Sequence, residues 1–105
     1  MAIYYKIYKI YKITNCINNK SYIGVTGGKL KDRYYRHLLD SKYNAKLPLH
    51  VDINKYGADN FSIEILDYII HHSLPTCTEG KYIEKYNTVI PNGYNNFFCY
   101  WEGGK

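Results

Sequence analysis

Cysteine is scarce and poorly placed for metal binding: Cys16, Cys77 and Cys99 are widely spaced, odd in number and form no CxxC pair. That pattern argues against a cysteine-built zinc site and fits a reducing compartment, with the thiols expected to be buried or unreactive. Long apolar runs are missing too. No stretch approaches the roughly 20 residues that cross a bilayer, and the first residues lack the apolar core of a signal peptide. An intracellular protein with no membrane partner is therefore expected. Negative charge is also in short supply, with nine Asp and Glu against fourteen Lys and Arg and a formal net charge of +5. Such a balance favours polyanionic partners such as nucleic acid, although charge alone suits a basic protein with no such partner equally well. Low-complexity sequence is limited to one short repeat, and no linker to a second domain is visible.

What is present is a core and many phenols. At 105 residues and 46% hydrophobic content the chain is long enough for one folded domain, residues 1–105, and too apolar to be disordered. Tyrosine occurs fourteen times against three Phe and one Trp, providing side chains that can pack, stack on bases or pass protons. Lysine dominates the bases, and Ile and Asn are abundant, as in proteins of AT-rich genomes. The cytoplasm of a bacterial or virus-infected cell is the expected setting.

Residues 3–13 contain Tyr-Lys-Ile three times in succession. Their β-branched and aromatic content predicts a strand, while a period of three leaves both faces mixed and the register ambiguous. Asn15 and the cluster Asn18-Asn19-Lys20 supply turn chemistry, and residues 21–26 read as the second strand of a hairpin ended by Gly27-Gly28. From Leu30 to about Tyr43 the spacing becomes helical. Leu38, Leu39, Tyr35 and Tyr34 supply its apolar stripe, and Arg33, Arg36, His37 and Asp40 share a polar face. A short helix from about Leu49 to Lys55 is predicted to end at a left-handed Gly57. Phe61, Ile63, Ile65 and Asp67 alternate as a third strand to Ile70. Pro75 suits the first turn of a last helix to about Tyr86, and Pro91-Asn92-Gly93 forms a turn before an extended segment at 94–100.

Several residues have the chemistry of phosphodiester hydrolysis, which must deprotonate water, hold the phosphate and neutralise developing charge. Arg33 offers a fork that matches two phosphate oxygens. Tyr11 or Tyr22 can act as a base only where neighbours favour the phenolate over the usual pKa of about 10. Glu79 can ligate a metal that takes one carboxylate and the phosphate itself. Each has a plainer reading on its own. Arg33 and His37 suit a solvated helix face, Glu79 a helix N-terminus with its favourable dipole, Asn95 a strand edge, and most tyrosines simple packing.

The joint order of these residues resembles the GIY-YIG nuclease family. Lys9-Ile10-Tyr11 is similar to the first signature, and Tyr22-Ile23-Gly24 matches the second. Arg33-Tyr34-Tyr35-Arg36-His37 resembles the family's catalytic helix. Leu49-His50, Lys55-Tyr56-Gly57 and Asn60-Phe61 are similar to the segment leading into the third strand. Glu79 falls where the family places its metal ligand, Gly93-Tyr94-Asn95 matches the closing motif, and Gly103-Gly104 resembles the glycines that follow it. The likeness runs from about residue 8 to 104. It implies a small α/β domain of the α+β type, a three-stranded, mainly antiparallel sheet flanked by helices. It also implies a Mg²⁺-dependent DNA endonuclease of homing or mobile-element type, with Mn²⁺ as a substitute metal. By that resemblance Tyr11 is the general base, Tyr22 positions water or phosphate, His37 drains the proton from Tyr11, Arg33 clamps the phosphate, Glu79 holds the metal and Asn95 supports the site. Lys12 and Lys20 are candidate phosphate contacts, more simply read as solvated lysines.

Two positions depart from the family pattern. Lys9 stands where the first signature has glycine, adding a cation that either assists Tyr11 or points away. Gly80, beside Glu79, costs about 1 kcal/mol of helix propensity relative to Ala. Homing enzymes usually carry a further DNA-binding region, so a separate or missing DNA-binding domain is a possible partner, and the oligomeric state is open. The alternative from another class is a non-catalytic nucleic-acid-binding module, and RNA is an alternative substrate.

Overall fold

The computed structural model describes residues 6–71 and 76–96. Strands β1 (Lys6–Asn15), β2 (Ser21–Thr26) and β3 (Phe61–His71) form one sheet in the order β2-β1-β3, with both pairings antiparallel. Helices α1 (Leu30–Tyr43) and α2 (Pro48–Tyr56) and a single 3-10 turn (Ala58–Asn60) connect β2 to β3, and α3 (Thr76–Tyr86) follows. This is the expected three-stranded antiparallel α+β fold. The elements fall within one or two residues of their expected bounds, except that β1 runs from Lys6 among the described residues and reaches Asn15. The expected Pro75 at the head of the last helix, the segment beyond Asn96, Cys77, Cys99 and Gly103-Gly104 lie outside the described residues or side chains.

The central place of β1 explains its mixed composition. Successive strand side chains point to opposite faces, and each face here is covered by helix. Tyr11 and Ile13 face a cluster with Leu49 and Ile53 of α2, Phe61 and Tyr94, with Leu30, Tyr34 and Leu38 of α1 packed against it. Ile10 faces the other side, with Ile23 and Ile83 of α3. Ile10, Tyr11 and Ile13 are all completely buried, and each buried aliphatic contributes roughly 1.5–3 kcal/mol. The register against β3 shifts between Ile10, opposite Asp67, and Tyr11, opposite Ile65. Leu66 is the extra residue of this β-bulge and packs on the Ile10 side. The simple alternation expected through Ile65 and Asp67 is broken there, because a bulge adds one residue and bends the strand.

The hairpin turn uses its asparagines as expected. Asn15 Oδ1 accepts from the Ile17 N–H at 2.9 Å, Asn18 Oδ1 accepts from the Lys20 N–H at 2.9 Å, and Asn19 takes the positive φ of 64°.

Four local expectations are corrected. Tyr35 is 62% exposed, because the inward face of α1 runs through Leu30, Tyr34, His37, Leu38 and Ser41 and turns Tyr35 outward. His37, placed by its spacing on a polar face, is buried on that inward side. Gly57 has a positive φ of 93° but a ψ of 137°, so the chain leaves α2 directly into an extended path rather than through a left-handed cap. Cys16, expected to be buried or unreactive, is exposed.

After α3 the chain folds back through a turn with a cis Ile90–Pro91 peptide. The Tyr94 N–H donates to the Ser21 carbonyl at 2.8 Å, and the Asn95 N–H to the Thr88 carbonyl at 2.8 Å. A Cβ on Gly93 would lie 2.5 Å from Thr88 backbone atoms and 2.7 Å from the Ser21 carbonyl oxygen. Only glycine allows that approach, which brings the closing motif against β2.

Candidate active site

Tyr11 sits at the middle of the central strand, under α1. Its directly paired partner on β2 is Gly24. A Cβ at Gly24 would overlap the hydroxyl-bearing end of the Tyr11 ring, so the glycine of the second signature makes the space that the tyrosine of the first one fills. The ring crosses to the α1 side and places its oxygen 2.8 Å from His37 Nε2 and 3.3 Å from Arg33 Nε. Arg33 and His37 are four residues apart on one helix, so a single turn of α1 supplies both partners of one phenol. The Tyr22 ring lies 6.3 Å from that of Tyr11 and meets His37 edge-on at 5.4 Å. Four of the six predicted site residues, Tyr11, Tyr22, Arg33 and His37, are thus in one cluster.

The electrostatics of the cluster differ from the simplest expectation for a phenol base. Burial raises the Tyr11 pKa above its ordinary value and outweighs the opposing hydrogen bond and charge of Arg33; the Glu79 charge raises it further. His37 is pushed down to about 4 by burial, His50 and Arg33, against a weaker opposing pull from Asp40. The resting pair is therefore a neutral phenol beside a neutral imidazole. Arg33, mostly exposed, is held more firmly protonated by its hydrogen bond to Tyr11.

Glu79, in the first turn of α3, lines a cleft of about 190 Å³ with Tyr22, Leu47, Ile83, Tyr94, Asn95 and Asn96. Tyr22 thus joins the phenol cluster to the carboxylate. Among the described residues no group of three or more His, Cys, Asp or Glu side chains converges, so a metal held entirely by protein is not built here. A single half-buried carboxylate on an open cleft does fit Mg²⁺, which keeps several waters and is bound through one or two carboxylates plus substrate phosphate.

The Asn95 amide is taken up by protein partners. Its Oδ1 accepts from the Ile23 N–H at 2.9 Å and the Thr88 hydroxyl at 2.7 Å, and its Nδ2 donates to the Ile23 carbonyl at 3.0 Å. It clamps β2 between the two signature positions Tyr22 and Gly24. The adjacent Tyr94 hydroxyl accepts from Asn15 Nδ2 at 3.0 Å and donates to Asp52 at 2.7 Å, tying β1 to α2.

The remaining candidates lie elsewhere. Lys9 Nζ donates to the Gly28 carbonyl at 2.9 Å, so this departure from the signature braces the loop before α1. Lys12 is only partly exposed, pairing with Glu64 at 3.4 Å and lying over the Tyr86 ring at 4.4 Å. Lys20 lines a different cleft with Lys46 and Asp52.

Three features were not assigned a role from sequence. One is Gly24, whose need for space is invisible without the register. The second is a cleft of about 280 Å³ at the head of α1, lined by Thr26, Gly28, Lys29, Asp32, Arg33 and Arg36. It combines three cations with one carboxylate. The third is His50, whose Nε2 lies 2.9 Å from His37 Nδ1. Its spacing of three from the core residue Ile53 places it on the inward face of α2, a signal available in the sequence.

The sequence pattern of the GIY-YIG catalytic domain matches residues 7–95. The catalytic domain of the intron endonuclease I-TevI superposes with a TM-score of 0.76 at 30% identity, over 90% of this chain and 98% of that one. The endonuclease segB of Enterobacteria phage T4 is 46% identical over 61 residues, covering 58% of this chain and 24% of its own length. An MSV199 domain-containing protein, 146R, of Invertebrate iridescent virus 6 is 33% identical over 86 residues, covering 76% of this chain and 34% of its own. The chain therefore spans about a third and a quarter of the two full-length relatives. With its signature tyrosines, helix and closing motif assembled as described, the chain belongs to the GIY-YIG family of endonucleases.

Proposed function

We propose that residues 1–105 are the catalytic domain of a DNA endonuclease of homing or mobile-element type, hydrolysing one phosphodiester bond per turnover. The observation that carries this reading is the Tyr11 hydroxyl, buried and shared between Arg33 Nε and His37 Nε2. Tyr94, a phenol that ties elements together, is held by an amide and a carboxylate; the partners of the Tyr11 phenol differ in kind. Tyr11 has a cation fitted for phosphate on one side and an unprotonated imidazole on the other.

Because burial disfavours a standing phenolate, Tyr11 works as a relay. As the attacking water loses a proton, a water O–H bond breaks and a new phenol O–H bond forms. In the same event the original phenol proton passes to His37 Nε2. No isolated phenolate or hydroxide has to accumulate in a buried site. Arg33 remains a guanidinium throughout and is exposed enough to meet the scissile phosphate while its Nε steadies the phenol oxygen. Tyr22, between this cluster and the Glu79 cleft, orients the water or a phosphate oxygen. Asn95 positions rather than reacts, since its amide is committed to β2 and Thr88. Glu79 would hold Mg²⁺ or Mn²⁺, which when bound supplies charge neutralisation at the phosphate and the leaving oxygen. Lys29, Arg33 and Arg36 at the head of α1 provide charge for the DNA backbone next to this centre.

Nicking of supercoiled plasmid tests the function. Wild type is expected to nick with Mg²⁺, to stop in EDTA, and to lose activity at least about 100-fold in Glu79→Ala. Folded protein that binds DNA but nicks it under no metal condition would instead identify a non-catalytic nucleic-acid-binding module.

A further inference from the structure

The proton path from Tyr11 does not end at His37. Its Nδ1 is 2.9 Å from His50 Nε2, the two rings lie 5.2 Å apart, and His50 is only 3% exposed. Tyr11, His37 and His50 therefore form a three-member hydrogen-bonded chain from the central strand through α1 to α2. A chain of this kind has a direction. Each neutral imidazole has one N–H and one lone pair, and the choice at one ring fixes the choice at the next. Arg33 can only donate, so the phenol oxygen is already an acceptor. Its own hydrogen is then directed at His37 Nε2, which requires the hydrogen of His37 on Nδ1 and an acceptor beyond it. His50 Nε2 is that acceptor. The opposite direction would converge two N–H donors on a neutral phenol oxygen and turn the base bonded to it away from its proton.

We propose that His50 is a positioning residue for proton transfer, locking His37 in the Nδ1–H tautomer so that its Nε2 lone pair faces the Tyr11 hydroxyl. This rests on the relay role given above to Tyr11 and His37. When the phenol O–H bond breaks and Nε2–H forms, the charge appears on the His37 ring, and the Nδ1–H bond to His50 becomes charge-assisted and stronger. The charged groups facing this pair are Arg33, which disfavours the imidazolium at His37, and Asp40, which favours the charged form of both rings. A neutral acceptor at position 50 stabilises the transient imidazolium without adding a second charge. Any side chain with an acceptor at that point can do this, which separates positioning from proton uptake.

The test has two readouts. Nitrogen chemical shifts of the wild-type protein without DNA report the tautomer: His37 is expected as Nδ1–H, with Nε2 unprotonated. In His50→Leu that preference is expected to be lost, and single-turnover cleavage to fall at least about tenfold with DNA affinity unchanged. His50→Gln, whose amide oxygen restores an acceptor, is expected to recover both tautomer and rate to within a few-fold of wild type. An Nε2–H tautomer in the wild type overturns the inference, as does unchanged cleavage in His50→Leu or failure of folded His50→Gln to recover. If His50→Leu does not fold, the wild-type tautomer and His50→Gln still decide. Because the shifts are read without substrate, a correct tautomer in a protein that never cuts DNA would sink the functional reading alone.

Discussion

Tyr11 is fully buried, yet its oxygen is held by a guanidinium and an imidazole, and the space for its ring exists only because position 24 lacks a Cβ. In the proposed relay, Gly24 would act on catalysis through shape alone. Gly24→Ala is expected to push the phenol off its two partners, lowering stability by about 1–3 kcal/mol as overpacking does. The loss in cleavage should be much larger than the loss in DNA binding. Urea unfolding together with single-turnover rates measures both, and a variant with normal rate would show that the hydroxyl position is not critical. At this scale the sequence was partly legible. Tyr11, Tyr22, Arg33 and His37 were recognisable because their order along the chain is a pattern. The reason for Gly24 was not, because it depends on which β2 residue sits opposite Tyr11, and the Tyr-Lys-Ile repeat leaves that register undetermined.

The elements contribute a frame that brings functional groups together from distant parts of the chain. β1 supplies the phenol, α1 its two partners, α3 the carboxylate and the closing motif the clamp on β2. That clamp is concentrated in Asn95, which makes three hydrogen bonds from a nearly buried side chain to Ile23 and Thr88. Asn95→Ala leaves buried backbone groups of Ile23 without partners, and an unsatisfied buried group costs roughly 1–3 kcal/mol. Thermal unfolding is expected to drop by several degrees, with a rate loss at temperatures where the variant remains folded. Asn95→Asp, which can accept but not donate as a carboxylate, should recover only part of this. An unchanged melting temperature in Asn95→Ala would contradict the clamp. Element bounds were readable because strand and helix periods and the asparagine turn are local features. The bulge at Leu66, the outward turn of Tyr35 and the inward burial of His37 were not, since they follow from how α1 and β3 pack on β1.

At the scale of the whole molecule, a basic domain keeps a buried, neutral pair of histidines beside its phenol, and this links folding to pH. His37 has a folded pKa of about 4 against an ordinary value of 6.5. The unfolded chain takes up the proton first, so this site favours the folded state above about pH 6.5 and withdraws that stability as pH falls towards 4. The loss by pH 4 is roughly 3 kcal/mol, and lowering of the His50 pKa by burial acts in the same direction. Denaturant unfolding from pH 7 to 4 should show this decline in wild type and a shallower one in His37→Gln. Parallel curves would mean that His37 is not held neutral by the fold. The domain also spans only part of the length of its full-length relatives.

The central claim, that the buried Tyr11 hydroxyl carries the proton of the attacking water, is tested most directly by single-turnover cleavage of plasmid DNA in Mg²⁺ by wild type and Tyr11→Phe. The substitution removes one oxygen from a packed ring. Fold and DNA affinity should persist while the rate falls at least about 100-fold, the size of a lost proton-transfer group. Cleavage at the wild-type rate by folded Tyr11→Phe would contradict the account.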